Sequence, residues 1–359
     1  MNSLLTGGYS PLFHSPSKLY DVLRDLQTVL ITGGSAGLGL SAARQLAGKG
    51  ANVIIVARNA SKLQEGIAYI KQGARSPDVQ RFHYIAADVT TAPECARVIA
   101  EAVAWNNDAP PDIVWCCAGS AHPTLFVDTL PEQFQIMMDS NYFSCVYMAH
   151  AALNAWLKPP SASASVRGAE AVDGDHSKAL AQKRDPRARH LIFTGSFVSF
   201  YSFAGFTPYA PSKAAVRSLA DSLSQEMNLY ASTHQPVRIH AVFPATMPTE
   251  GLEQENSVKT DLTKALEEGD QVLAPEECAR RAIAGLERGE ELVPTTTIIR
   301  LVMTSVMGGS ARGGFWRGLA STVLGWVTIA VMVFIRWEMD TKVAKWGRVN
   351  GSSGMLKRE

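Results

Sequence analysis

The chain has 359 residues, 46% of them hydrophobic, which is enough to bury one large core or two modest ones. Its 34 basic and 33 acidic residues give a net charge of +1, which argues against a general nucleic-acid binder. The five cysteines form no C-x-x-C pair and none of the eight histidines falls in H-E-x-x-H, so the sequence predicts no metal site. Cysteines used in this way suit a reducing compartment.

From residue 27 onward, short apolar runs alternate with helix-length segments. Six runs read as strands, and they lie at 28–34, 51–58, 81–89, 111–119, 189–196 and 237–245. Strands that are apolar throughout and separated by helices indicate a parallel sheet covered on both faces. The sequence therefore predicts an α/β fold, with a doubly wound parallel sheet of the Rossmann type in a domain spanning 27–290.

Two stretches lack this alternation. Residues 1–26 are predicted to form an N-terminal extension. Residues 158–189 are poor in large apolar side chains and rich in Ser, Ala, Pro and charge, so they cannot bury enough surface to offset the entropy of ordering. We expect a disordered insertion there, between a helix and the fifth strand.

The segment TGGSAGLG, residues 32–39, follows the first strand and opens a helix. Glycine lets the backbone approach a pyrophosphate, and a helix N-terminus offers free N–H groups with partial positive charge. A plain glycine-rich turn is the alternative, but the strand–turn–helix setting favours dinucleotide binding. The predicted cofactor-binding residues of this turn are Gly33, Ser35, Ala36, Gly37, Leu38 and Gly39.

The end of the second strand bears on the choice of nicotinamide cofactor. NAD-binding folds place an acid there to hold the ribose 2′-hydroxyl, whereas this chain has Arg58, with Lys62 one turn later. A guanidinium can pair with a 2′-phosphate that a carboxylate would repel, so NADPH is predicted; an exposed loop arginine is the alternative. Asp88, at the end of the third strand, is placed to accept a hydrogen bond from the adenine amine.

Three residues further along predict proton-transfer chemistry. Ser196 ends the fifth strand, which places its hydroxyl at the carboxyl edge of the sheet, where such folds bind ligands. Tyr209 and Lys213 lie four apart and share one helix face, although a chance helix start would give the same spacing. A neighbouring ammonium and a positive nicotinamide ring can lower the pKa of a phenol from about 10 toward 7. Such a phenol can exchange a proton with a carbinol oxygen.

The chain ends in an apolar region. Residues 318–335 carry no charge, and as a helix they would be about 27 Å long, close to the roughly 30 Å hydrocarbon core of a bilayer. A buried core helix is the alternative. We predict a membrane-associated region at 291–337 with a candidate transmembrane helix at 318–335, followed by a polar tail at 338–359. The semi-apolar segment 295–309 could form the second arm of a re-entrant hairpin.

Taken together and in this order, TGGSAGLG, AADV, CCAG, Asn141, Ser196 and Tyr209-x-x-x-Lys213 resemble the short-chain dehydrogenase/reductase superfamily over roughly residues 27–250. The resemblance implies that Tyr209 is the catalytic acid/base and that Ser196 polarises the substrate oxygen. It also implies that Lys213 binds the nicotinamide ribose and lowers the pKa of the tyrosine. Asn141 would support a water-linked proton relay, although in isolation it reads as a helix-side amide facing solvent.

Two positions depart from the superfamily pattern. Cys116 and Cys117 replace the usual two asparagines before Ala118 and Gly119, which costs side-chain hydrogen bonds. Ala118 and Gly119 keep the close approach to the cofactor that the resemblance implies. Pro244-Ala245 stands where the superfamily has Pro-Gly, which leaves open the contacts to the nicotinamide amide at that point.

Within the superfamily, GGSAGLG, VARNASKL, GFTPYAPSKAAVRSLADSL and the apolar C-terminal segment resemble 3-ketodihydrosphingosine reductases, notably fungal ones. This resemblance implies NADPH-dependent reduction of the 3-keto group of 3-ketosphinganine to sphinganine in sphingolipid synthesis. The alternatives are a membrane-bound NADPH-dependent reductase of a retinoid, a steroid or acyl-dihydroxyacetone phosphate, and a non-catalytic redox sensor or scaffold that binds NADP(H).

The predicted partners follow from this assignment. The substrate is a long-chain lipid ketone, with specificity residing in 246–275, and the C-terminal segment would bring the site to the membrane. The resemblance implies the endoplasmic reticulum membrane, a catalytic domain facing the cytosol, and a homodimer or homotetramer. More basic residues follow 335 than closely precede 318, which favours a cytosolic tail.

Overall fold

The computed structural model describes residues 27–158, 187–306, 308, 310 and 315–357. The predicted N-terminal extension at 1–26 lies outside these residues, as does nearly all of the predicted insertion at 158–189. The described part contains one sheet, the helices that cover both of its faces, and a long C-terminal helix.

The sheet has seven parallel strands in the order β3-β2-β1-β4-β5-β6-β7. They are β1 (Thr28–Thr32), β2 (Asn52–Ala57), β3 (Phe82–Ala86), β4 (Ile113–Cys116), β5 (Arg189–Thr194), β6 (Val237–Phe243) and β7 (Leu292–Pro294). The strand order reverses between β1 and β4, which leaves a crevice at their carboxyl ends where ligands bind in such folds. The predicted doubly wound parallel sheet is confirmed.

The seventh strand was not among the six predicted. β7 pairs with β6 in the register Ala241↔Leu292, so the predicted domain range ending at 290 omits a strand of the sheet. Leu292–Pro294 is too short to stand out as an apolar run in the sequence, and the membrane-associated region predicted from 291 therefore begins too early. Its buried residues belong to the core of the domain.

Helices cover both faces of the sheet. They are α1 (Gly37–Gly48), α2 (Ala60–Gln72), α3 (Ala92–Trp105), α4 (Pro131–Met138), α5 (Ser144–Leu157), α6 (Ala210–Glu226), α7 (Glu250–Val258), α8 (Asp261–Leu266), α9 (Pro275–Glu287), α10 (Thr297–Val306) and α11 (Phe315–Asn350). Successive strand residues point to opposite faces, so Leu30 packs with α3 and α5 while Val29 and Ile31 pack with α1 and α9. Both faces are therefore buried.

The last two helices pack against each other. On α10, Ile299 and Met303 belong to the core, which makes one face of this helix part of the domain. The Thr304 and Thr328 hydroxyls are 3.1 Å apart, and a Cβ on Gly325 would lie 2.8 Å from the Thr304 carbonyl oxygen. Among the described residues, Gly318–Asn350 is the one helical stretch long and apolar enough to cross a membrane. The helix thus continues 15 residues beyond the predicted end at 335.

A buried histidine pair joins β5 to β6. His190 Nδ1 lies 3.0 Å from His240 Nε2, and His240 Nδ1 lies 2.8 Å from the Glu290 carbonyl oxygen. Since that carbonyl can only accept, His240 carries its proton on Nδ1 and accepts from His190 on Nε2. Burial lowers the pKa of both imidazoles, to about 4 for His240. Both rings are therefore neutral at pH 7.

We expect the stability of the full chain in detergent to fall between pH 7.5 and pH 5. A histidine whose pKa lies below its unfolded value of about 6.5 stabilises fully above that pH and loses its contribution as the pH falls toward the folded pKa. His240 alone accounts for about 2 kcal/mol of unfolding free energy lost by pH 5. Denaturant midpoints at the two pH values measure the loss. His240→Asn keeps a donor near Nδ1 but cannot titrate, and an unchanged pH slope in that variant would contradict the assignment.

Candidate active site

The glycine-rich turn brings backbone segments closer than a side chain would permit. Gly33 has φ +63°, and a Cβ there would lie 2.8 Å from the Ala118 amide nitrogen. A Cβ on Gly39 would overlap the Gly33 carbonyl oxygen. The helix that follows begins at Gly37, has no side-chain cap at Ala36 and carries no acid in its first turn. Its free amides and partial positive charge fit the pyrophosphate of a dinucleotide.

Ser35 and Leu38 complete the predicted turn, at the crevice between β1 and β4. Ala118 closes its other side, because Ala118 N and Cys117 N both donate to Thr32 Oγ1 at 3.2 Å. The sequence did not single out Thr32, which holds the segment where two cysteines replace the usual asparagines. Its place at the last position of β1, facing the end of β4, is the signal that could have identified it.

The residues predicted to hold the adenosine end lie on the surface beside this turn. Arg58 follows β2 directly and is exposed. Lys62, in the first turn of α2, lies 2.5 Å from Glu250 Oε2 at the start of α7. Asp88 Oδ1 accepts from Thr90 N and Oγ1, which fixes its carboxylate at the end of β3. The ion pair between Lys62 and Glu250 was not predicted from the sequence.

Ser196, Tyr209 and Lys213 meet at the carboxyl end of β5. Ser196 lies two residues beyond the strand, and its side chain interacts with the Tyr209 phenol and lowers the pKa of that phenol. Tyr209 is the N-cap of α6, and Lys213 in the first turn is 5% exposed. Lys213 Nζ donates to the Thr194 carbonyl oxygen at 2.9 Å and lies 5.8 Å from the centroid of the Tyr209 ring. The three polar groups therefore face one point of the sheet edge.

Burial and two neighbouring side chains set the pKa of the Tyr209 phenol within the protein. Burial raises this pKa, the hydrogen bond with Ser196 lowers it, and the negative charge of Glu255 raises it further. The net direction from these protein groups is upward, and the lowering toward 7 by Lys213 together with a positive nicotinamide ring stays a prediction. In this structure the ammonium donates to a backbone carbonyl, and burial lowers its own pKa. The phenol is therefore held in its protonated form.

Asn141 is buried, which excludes the reading of a solvent-facing amide. It lies in a π-helical turn (Asp139–Phe143) between α4 and α5. The wider turn changes the direction of its side chain relative to a regular α-helix. Its Nδ2 donates to the Ser120 carbonyl oxygen at 2.9 Å, and its Oδ1 accepts from Ser120 N at 3.1 Å. These two bonds clamp the segment after β4 that contains Gly119.

Gly119 lies between Asn141 and Lys213. A Cβ at this position would overlap Asn141 Oδ1 and lie 3.4 Å from Lys213 Nζ. The backbone of Gly119, the amide of Asn141 and the ammonium of Lys213 thus occupy one small volume. A planar ring could approach the backbone at Gly119, because this residue is exposed.

Residues 246–275 pack on the segment that leads into Tyr209. Thr263 Oγ1 donates to the Ala204 carbonyl oxygen at 3.4 Å, and a Cβ on Gly205 would overlap the Thr263 hydroxyl. Lys259 is buried and lies 5.6 Å from the centroid of the Phe206 ring. Its ammonium is shared by two carboxylates that the sequence did not single out, Glu255 at 2.8 Å and Glu267 at 2.5 Å.

The chain is similar to known proteins over most of its length. The family described as short chain dehydrogenase matches residues 27–166 and 177–260. The 3-ketodihydrosphingosine reductase ksrA of Aspergillus fumigatus is 40% identical, with 90% of this chain and 86% of that protein covered. The 3-ketodihydrosphingosine reductase gsl-3 of Neurospora crassa is 39% identical, with 90% and 83% covered. The 3-ketodihydrosphingosine reductase TSC10 of Cryptococcus neoformans is 32% identical, with 88% and 82% covered.

Among solved structures, a short-chain type dehydrogenase/reductase from Mycobacterium ulcerans superposes with a TM-score of 0.58. The two chains are 20% identical, and the match covers 76% of this chain and 88% of the other. At this identity the likeness concerns the fold.

We expect Gly119→Ala to lower the activity of the enzyme about tenfold or more, because the added methyl group displaces Asn141 and crowds Lys213. Gly347→Ala is the matched control, since a Cβ at Gly347 on α11 meets no other atom within 4 Å. Initial rates of oxidation of the reduced nicotinamide cofactor and a thermal melt of each variant measure the effect. Full activity in Gly119→Ala with an unchanged melt would show that the clamp around Gly119 is dispensable.

Proposed function

The chain belongs to the short-chain dehydrogenase/reductase family, and we propose that it reduces the 3-keto group of 3-ketosphinganine to sphinganine with NADPH. It is an oxidoreductase that acts on CH–OH groups and uses a nicotinamide cofactor. The observation that carries the substrate assignment is the run of relatives named 3-ketodihydrosphingosine reductase, which match 88–90% of this chain at 32–40% identity. These relatives do not favour a retinoid, steroid or acyl-dihydroxyacetone phosphate reductase, nor a non-catalytic scaffold.

The proposed cofactor site runs along the carboxyl ends of β1, β2 and β4. The backbone of the glycine-rich turn and the open N-terminus of α1 would hold the pyrophosphate. Arg58 and Lys62 would pair with the 2′-phosphate, and Asp88 would accept from the adenine amine. Ala118 and Gly119 would lie against the nicotinamide. NADPH supplies the hydride that adds to the carbonyl carbon of the substrate.

The proposed catalytic residues handle the proton and the substrate oxygen. Tyr209 would donate its phenolic proton to that oxygen, and Ser196, whose side chain interacts with the phenol, would donate its hydroxyl hydrogen bond to the same oxygen. Lys213 uses one of its three N–H groups on the Thr194 carbonyl, which leaves donors for the nicotinamide ribose. Asn141 holds the Gly119 segment and would support a water-linked proton relay.

A membrane surface for the lipid substrate is proposed on α10 and α11. Both helices expose large apolar side chains on their outer faces: Ile298, Leu301, Val306, Leu319, Val323, Leu324, Trp326, Val327, Ile329, Val331, Val333, Phe334 and Trp337. A contiguous apolar surface of this kind marks a membrane or partner contact. We propose that it seats the enzyme on the endoplasmic reticulum membrane.

The basic residues Lys342, Lys345 and Arg348 at the far end of α11 favour a cytosolic tail, so a catalytic domain that faces the cytosol requires both ends of α11 to lie on the same side of the membrane. Since the inner face of α10 belongs to the domain core, a single apolar helix alongside the domain is favoured over a hairpin made with 295–309. A homodimer or homotetramer stays a prediction.

We expect Tyr209→Phe to reduce turnover of 3-ketosphinganine by a factor of about 10²–10⁴, because no other group delivers the proton. NADPH binding should be nearly unchanged, since only one hydroxyl is lost. NADPH consumption with 3-ketosphinganine, followed by absorbance, measures turnover, and quenching of protein fluorescence measures binding. Equal turnover in Tyr209→Phe would refute the proton-donor role, and an inactive wild-type protein would refute the proposed substrate.

We expect Arg58→Asp to shift cofactor preference from NADPH toward NADH. Hydrogen bonds to charged groups contribute about 1.5–3 kcal/mol, so the ratio of kcat/KM for NADPH over NADH should fall roughly tenfold to a hundredfold. Arg75→Asp serves as the control, because Arg75 lies beyond α2 and away from the end of β2. An unchanged ratio in Arg58→Asp would contradict the 2′-phosphate role.

A further inference from the structure

The start of α7 lies over the glycine-rich turn. Thr249 caps α7 by accepting a hydrogen bond from Leu252 N at 3.3 Å. Its Cγ2 atom lies 3.5 Å from the place where a Cβ on Gly37 would stand. Thr249, the N-cap of α7, therefore lies beside the N-terminus of α1, where the proposed pyrophosphate site lies. This puts an element of the proposed substrate region, 246–275, directly beside the nucleotide region.

An ion pair also connects α7 to α2, next to the glycine-rich turn. Lys62 Nζ lies 2.5 Å from Glu250 Oε2, and the pair joins the first turn of α2 to the first turn of α7. Lys62 is fixed from its own side as well, because Asn59 Oδ1 accepts a hydrogen bond from the Lys62 amide. The lysine follows Arg58 by one turn, at the end of β2 where the 2′ position of an adenosine ribose is expected. The ammonium of Lys62, which is predicted to bind the 2′-phosphate, is therefore already paired with the carboxylate of Glu250.

The two anions cannot share this lysine without repelling each other. A ribose 2′-phosphate carries close to two negative charges, and a carboxylate in contact with the same ammonium would stand only a few ångströms from it. A 2′-hydroxyl is neutral and imposes no such conflict. Only a cofactor with a 2′-phosphate therefore repels the Glu250 carboxylate and separates it from Lys62.

We infer that Glu250 is a specificity-determining residue that competes with the 2′-phosphate of the cofactor for Lys62. The inference rests on the proposed use of NADPH. Binding of a nucleotide 2′-phosphate breaks the ion pair and frees the start of α7, whereas a nucleotide with a 2′-hydroxyl leaves the pair in place. Glu250 thereby lowers the affinity for NADPH and links the 2′-phosphate site to the segment that packs beside Tyr209.

The test measures nucleotide binding to the full chain in detergent micelles, without substrate. Glu250→Gln should lower the Kd for NADPH and for 2′,5′-ADP about two- to fivefold at low salt, the range of an exposed ion pair. The Kd for NADH and for 5′-AMP should not change. The gain should shrink at high ionic strength, because both side chains are largely exposed.

Glu253→Gln is the matched control. Glu253 lies in the same first turn of α7, is exposed and forms no ion pair within the described part of the chain. The Glu253→Gln substitution removes the same charge as Glu250→Gln and should leave all four dissociation constants unchanged. Equal tightening of NADPH in both variants would show that only the net charge matters, and it would overturn the inference.

A double variant separates competition for Lys62 from a longer-range effect. In a Lys62→Gln background, Glu250→Gln should produce no further change in the Kd for NADPH. A gain as large as in the wild-type background would overturn the inference, as would equal tightening of NADH and NADPH by Glu250→Gln. If wild-type protein binds NADH and NADPH equally, the proposed cofactor fails, whereas failure of the proposed substrate would appear only in the turnover assay.

Discussion

A buried ammonium fixes the geometry on which the site depends. Lys213 is almost fully buried on α6, and a charged group in that position must be satisfied by oxygen atoms. Lys213 Nζ donates to the Thr194 carbonyl oxygen at the end of β5. This hydrogen bond fixes the orientation of α6 about its own axis relative to the edge of the sheet. Tyr209 lies one turn earlier and is carried to the same edge, beside Ser196. Asn141 and Gly119 then pack around the ammonium from the β4 side.

The sequence was sufficient to predict the alternation of strands and helices in the domain. Six strands and their parallel arrangement follow from apolar runs, and the glycine-rich turn follows from its place between a strand and a helix. β7 was missed because three residues carry no pattern, and the length of α11 was missed because its second half is polar on the outside. The π-helical turn that buries Asn141 has no signature in spacing, since it depends on Ser120 across the segment.

Contacts between distant segments could not be read from the sequence. Lys62 and Glu250 are 188 residues apart, and nothing in either neighbourhood points to the other. The same holds for Lys259, whose burial between Glu255 and Glu267 depends on how α7 and α8 close over the segment before Tyr209. A basic residue in a polar stretch ordinarily predicts a solvated surface. Only the folded chain shows that this one is buried beside an aromatic ring.

The groups around Tyr209 favour the protonated form of the phenol. A phenol that must act as an acid is useful only while it is protonated, and both burial and the charge of Glu255 raise its pKa. The same carboxylate destabilises the phenolate, which shifts the protonation equilibrium toward the phenol. Lys259 limits this effect, because it neutralises part of the charge of Glu255 at 2.8 Å. The segment proposed to select the substrate thus also contributes to how strongly the phenol holds its proton.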